Sequence, residues 1–243
     1  MEITQYTEDF ADRGVDVSEL KKSYTSLISR RIDILDTAVS SELGGRQRIQ
    51  KFSLALRQSL LHRAVKLFES SVLSLHNDDV YTLALAIRGH YETTAALGFL
   101  HCRLHSMNDG NITPETVDHD IRILMLGSKD KDLLEKYGEE AIEAKQVLSL
   151  LEYADKSVSK HLMGGKAHEH AILTDVYKWL CEFCHPNFHS MSVAFRIDEH
   201  NRTFVYRHSS RVVESEARIF ENLYISNSIF IELYDGIEKL LRE

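Results

Sequence analysis

Four clusters in the chain combine residue types and spacings that chemistry can use. The first is Arg88-Gly-His-Tyr-Glu92, inside a segment dense in alanine and leucine. On a helix the i,i+4 spacing puts Arg88 and Glu92 on one face, and charges among apolar residues must be paired or must serve a site. The pair reads either as an internal ion pair or as the polar floor of a ligand site. The second is Cys184-His-Pro-Asn-Phe-His189, where Pro186 forces the chain out of helical geometry. His185 could transfer a proton there, with Asn187 and His189 as further ligand-binding groups. Each histidine could equally cap the negative end of the helix dipole.

The third cluster is His161 with His168-Glu-His170, beside Gly164-Gly165. With a carboxylate it could serve a metal-dependent hydrolase, but the spacing matches no defined zinc scaffold, so no metal site is assigned. The fourth is Arg196, Arg202, Arg207 and Arg211 interleaved with Phe195, Phe204 and Tyr206. Such a patch can stack and clamp a nucleotide; it can also be an exposed strand face balanced by acidic neighbours. Cys181 and Cys184 lie on adjacent helical turns with no second pair to complete a zinc site, and read as small buried packing residues. The motifs G-x-x-x-x-G-K-S/T, G-x-G-x-x-G, H-E-x-x-H and G-x-S-x-G are all absent. P-loop hydrolysis, Rossmann dehydrogenation, zincin proteolysis and α/β-hydrolase chemistry lose their usual support, and no cofactor is expected.

The elements that must position these groups are helical. Only two prolines occur, so helices can run long. Asp16-Val-Ser-Glu19 has capping-box form, and the apolar spacing after it predicts a helix over about 17–40. A second is expected from after Gly44-Gly45 to about 75, and a third, apolar on most sides and so central, over about 80–105. Thr113-Pro114 opens a fourth over about 114–126. Residues 131–157 read as a fifth, 160–170 as a loop, and about 173–184 as a sixth. Alternation over 193–198 and 203–208 around a polar turn predicts a β-hairpin, and a final helix spans about 212–241. The expectation is an all-α bundle of about seven helices with one small hairpin near 193–208. A single domain over 1–243 is expected, with 1–45 open to being a peripheral N-terminal helix.

Composition narrows the function. The chain has 243 residues, 43% hydrophobic and 27% charged, and no apolar run near the roughly 20 residues that cross a bilayer. Its polar, acidic start lacks the pattern of a secretory signal, which predicts a cytoplasmic protein with no membrane partner. The net charge of −8 argues against broad electrostatic attraction to nucleic acid. Ile225, Ile229, Phe230 and Leu233, with Ile32, Leu35 and Val39, offer more apolar surface than terminal helices need internally, which predicts a homodimer.

The order of features resembles an uncharacterised group of bacterial all-helical proteins: R-x-x-x-E in a central helix, here Arg88 to Glu92, then a helix ending in H-P, here Lys178 to Pro186, then a hairpin and a long last helix. That group is distantly similar to HEPN domains, helical bundles that are often dimeric and often cleave RNA. The resemblance implies RNA or nucleotide binding, or RNA cleavage, through Arg88, Glu92 and His185. The HEPN motif is arginine, four to six residues, then histidine; before His185 the basic residue at that distance is Lys178. The spacing does occur at Arg57–His62 and Arg202–His208, as often as chance gives with thirteen histidines. The alternative function is a non-catalytic helical interaction module.

Overall fold

The computed structural model describes residues 3–7, 10–35, 45–138, 142–164, 171–206 and 213–242. Among them are nine α-helices and one two-stranded antiparallel hairpin, an all-α fold with a small β element. The helices are α1 (Val17–Ile28), α2 (Gly45–His76), α3 (Val80–Asn108), α4 (Pro114–Leu126), α5 (Lys131–Tyr137), α6 (Val147–Ser157), α7 (Ile172–Cys184), α8 (Phe188–Ser192) and α9 (Val213–Arg242). The strands are β1 (Phe195–Asp198) and β2 (Thr203–Tyr206). No helix among the described residues is long and apolar enough to cross a membrane.

The chain groups into two compact units. Unit 1 comprises Met1–Ser29, Ala64–Tyr91 and Asp175–Ser228; unit 2 comprises Arg30–Arg63, Glu92–Thr174 and Ile229–Glu243. The long helices α2, α3 and α9 each contribute a length to both.

In unit 1 the core is aromatic and aliphatic, with Phe10, Phe68, Leu83, Ile87, Tyr91, Leu180 and Phe220 fully enclosed. Several buried polar groups are matched. His90 Nδ1 meets Ser226 Oγ at 2.8 Å, and Tyr91 Oη donates to the Asn222 carbonyl at 3.1 Å. Arg13, almost fully buried, donates to the carbonyls of Leu75 and His76 and pairs with Asp78 at 2.8 Å. It neutralises the C-terminal end of α2, where unsatisfied carbonyls and the helix dipole favour a cation. Tyr24 on α1 donates to Glu69 on α2 at 2.7 Å, and Lys66 binds the other carboxylate oxygen at 2.8 Å.

Unit 2 is held by close helix approach and by ion pairs. A Cβ added at Gly98 of α3 would sit 2.5 Å from the Ala154 Cβ of α6, so only glycine permits that contact. On α4, Asp118 takes both forks of Arg48 at 2.9 Å, and Asp120 takes Arg103 Nε at 2.6 Å. Arg57, at the α2–α9 contact, lies 4.1 Å over the Tyr234 ring and binds Glu238 and the Tyr234 carbonyl. Its guanidinium is engaged in these packing contacts, while His62, at the arginine-to-histidine spacing, is exposed.

Four features differ from the sequence expectation. The first helix ends at Ile28, not near residue 40, with Ser29 as its C-cap; Ile32 and Ile34 beyond it are exposed, and residues 36–44, Val39 included, lie outside the described residues. The expected fifth helix is two, because Gly138 takes φ +55° and ψ −126°, which closes α5. Residues 142–144 then run extended against Ser128, whose N–H donates to the Ile142 carbonyl at 2.9 Å and whose carbonyl accepts from Ala144 at 3.0 Å. A short helix, α8, intervenes before the hairpin, and a π-helical turn over Val158–Leu162 replaces the start of the expected loop.

Candidate functional site

Arg88 on α3, and His185, Asn187 and His189 just beyond the end of α7, all belong to unit 1. The helix α7 offers α3 one face with Tyr177, Cys181 and Cys184, spaced i, i+4, i+7. The half-buried Arg88 donates to Tyr177 Oη at 3.0 Å and stacks over that ring at 5.2 Å. It also hydrogen-bonds the Cys184 thiol. Burial works against its charge, but the hydrogen bonds to Tyr177 and Cys184 outweigh this and hold its pKa above the ordinary arginine value. Its guanidinium is therefore gripped by side chains of its own unit.

Glu92, one turn along α3, belongs to unit 2, where its carboxylate lies 3.9 Å from Arg63. Arg63 in turn donates to Thr93 at 3.0 Å. His185 is exposed, just past the end of α7, and its carbonyl accepts from the Asn187 N–H at 2.8 Å across Pro186. Asn187 is occupied as the N-cap of α8: its Oδ1 accepts from Ser190 N at 3.1 Å and its Nδ2 donates to Glu182 at 2.8 Å. His189 is exposed on α8, with its ring 6.2 Å from Phe188 and 6.4 Å from Phe183.

The hairpin presents a second surface. Register pairs Phe195 with Tyr206 and Ile197 with Phe204, so these four share one face. Three of them stay open to solvent: Ile197 at 57%, Phe204 at 60% and Tyr206 at 64%. Phe195 packs edge-on to Phe204 at 4.8 Å and to Tyr206 at 6.2 Å, forming a connected aromatic surface. The neighbouring α8 adds exposed Phe188 and Met191, and is tied to α3 where Tyr81 Oη donates to the Ser190 carbonyl at 2.8 Å. Arg196 and Arg202 flank the aromatics; Arg207 and Arg211 lie outside the described residues. Sequence reading found these aromatics, but Phe188 and Met191 carry no periodic signal in a five-residue helix.

Of the histidines considered for metal, His168 and His170 lie outside the described residues. His161, on the π-helical turn, stacks flat on His105 at 3.7 Å, and His101 lies 4.7 Å from His105. Among the described residues no group of three or more His, Cys, Asp or Glu side chains is arranged to hold a metal ion.

Of the seven apolar residues expected to drive dimerisation, two are buried, Ile229 and Leu35 are half-buried, two are exposed, and Val39 lies outside the described residues. Phe230 and Leu233 are fully buried within unit 2, Ile225 is exposed in unit 1, and Ile32 and Leu35 lie beyond α1 and not on it. No protein-family model matches this chain, and neither the curated proteins nor the solved structures contain a match to it.

Proposed function

We propose that the chain is a non-catalytic helical interaction module that docks through the aromatic face of the hairpin and α8, and that its first partner is a second copy of itself. The observation that carries this reading is the hairpin register, which sets Ile197, Phe204 and Tyr206 on one face and leaves all three more than half exposed. A lone two-stranded hairpin is marginal in water and gains most by covering such a face. Its composition suits a protein partner: from Asn187 to Tyr206 there are aromatics, two methionine or isoleucine anchors and two arginines, and no lysine. Among the described residues β2 is an edge strand of its two-stranded sheet, and it carries no proline or lysine to block pairing with another strand. Two-fold pairing of identical chains is the commonest assembly.

A second reading, binding or cleavage of RNA by a HEPN-like site, is favoured by one contact: Arg88 reaches Cys184, the residue before His185. Sedimentation separates the two. At tens of micromolar the wild type is expected to have twice the 27.9 kDa mass of one chain, and Phe204→Ser with Tyr206→Ser is expected to return it to one. A wild type at the mass of one chain, with single-stranded RNA bound or cut in a manner lost on Arg88→Met or His185→Ala, would replace the first reading by the second.

A further inference from the structure

We infer that Cys181 and Cys184 form a hydroperoxide-sensitive dithiol, with Arg88 as the residue that positions and activates the Cys184 sulfur. Three features of unit 1 meet there. The two cysteines are three apart on α7, where Cα atoms are about 5 Å from each other, inside the roughly 4.4–6.8 Å that a disulfide spans. Neither is in a disulfide, and both are half-buried rather than sealed in the core. Cys184 is the last residue of α7, followed by His185-Pro186, so the final turn can tighten to bring the two Cβ atoms together without disturbing the rest of the helix. Its Sγ accepts from the Arg88 guanidinium and donates to the Leu180 carbonyl at 3.4 Å.

The guanidinium lies beside the Cys184 sulfur, which is the nucleophile of the first step; the Cys181 sulfur is the nucleophile of the second. The Cys184 thiolate attacks the nearer peroxide oxygen, the O–O bond breaks, and the outer oxygen leaves as water after taking a proton. This leaves Cys184 as a sulfenic acid. The Cys181 sulfur then attacks the Cys184 sulfur, the S–O bond breaks, and hydroxide leaves as water with the Cys181 proton. Two thiols have lost two electrons, and one hydroperoxide has become two waters or a water and an alcohol. Cys102 is the internal reference: burial pushes its thiol above the ordinary value, against the opposing pull of Arg103, Lys156 and Lys160.

The test is intact-mass and peptide analysis of the full chain after hydrogen peroxide. The expected result is a loss of about 2 Da, reversed by dithiothreitol and mapped to Cys181–Cys184, with Cys102 still reduced. Cys181→Ser is expected to stop at a trappable sulfenic acid on Cys184. In alkylation of the untreated protein, Cys184 should react on the order of tenfold faster than Cys102, and Arg88→Gln should move its pH–rate profile to higher pH while Arg88→Lys partly restores it. A purely structural Arg88 would leave that profile in place. The inference fails if peroxide adds oxygen without the 2 Da loss, or if Cys184 reacts no faster than Cys102; both readouts come from the wild type and need no variant to fold.

Discussion

Lowering the pH from 7 to 5 is expected to cost each unit about 2 kcal/mol of stability, through His90 in unit 1 and His101 in unit 2. Both imidazoles are enclosed, His90 against Ser226 and His101 against Ser157 at 2.7 Å. Burial lowers the pKa of each to about 3, aided for His101 by the neighbouring His105 and His161. A histidine in the unfolded chain titrates near 6.5, so below that pH the unfolded state takes up a proton that the folded state refuses. The stability held above pH 6.5 is thus lost as the pH falls toward 3, and at pH 5 about 1.5 pH units of it are gone from each site. His161, also lowered by burial and by His105, adds to the loss in unit 2. Against a total of roughly 5–15 kcal/mol, this is a large fraction. Urea unfolding at pH 7 and pH 5 measures it, and His101→Gln should remove much of the unit 2 share. A flat pH dependence would mean that these rings gain a proton without opening the fold.

Asp120→Ala is expected to destabilise unit 2 by about 3–5 kcal/mol. Asp120 is buried and accepts Arg103 Nε at 2.6 Å, with Lys145 at 4.0 Å. The Arg103 guanidinium lies beside the rings of Phe99 and Tyr153, at 5.9 and 6.0 Å, with 17% of the side chain exposed. Removing the carboxylate strands that cation where solvent compensates it only in part. Replacing both partners, with Arg103→Met and Asp120→Leu, should recover most of the loss, because an apolar pair of similar volume carries no desolvation penalty. Denaturant midpoints for the single and double variants check both statements. By contrast, the exposed pair Lys129–Glu143 at 2.6 Å contributes little.

What the sequence disclosed depended on whether the signal was local. Helix α4 begins at Pro114 as read, because Thr113 caps it through Thr116 N and a first-turn proline sacrifices no hydrogen bond. The termini of α2, α3, α7 and α9 were legible within a few residues for similar local reasons. The end of α1 was not: Ile32, Ile34 and Leu35 continue the apolar spacing, yet the helix has already closed at Ser29. The break at Gly138 depends on a backbone angle that residue type alone does not announce. Alternation located the hairpin, but period two cannot say which face is covered, and here the aromatic face is the open one. The same blindness applied to Phe230 and Leu233, whose burial depends on partners distant in the chain. Arg88 was recognisable as a charge that must find partners within an apolar helix. That Tyr177 and Cys184 supply them requires α7 to lie against α3, a relation no local spacing contains.

Hydrogen exchange along β2 tests the docking face most directly. Among the described residues β2 is an edge strand paired with β1, so in an isolated chain the β2 amides that do not bond to β1 are expected to exchange faster than those that do. If the hairpin is the contact surface, the protection of the faster set should rise as the protein is concentrated roughly a hundredfold, while amides inside α4 stay unchanged. Exchange in β2 that stays independent of concentration while the sedimenting mass doubles would place the contact elsewhere and contradict this account.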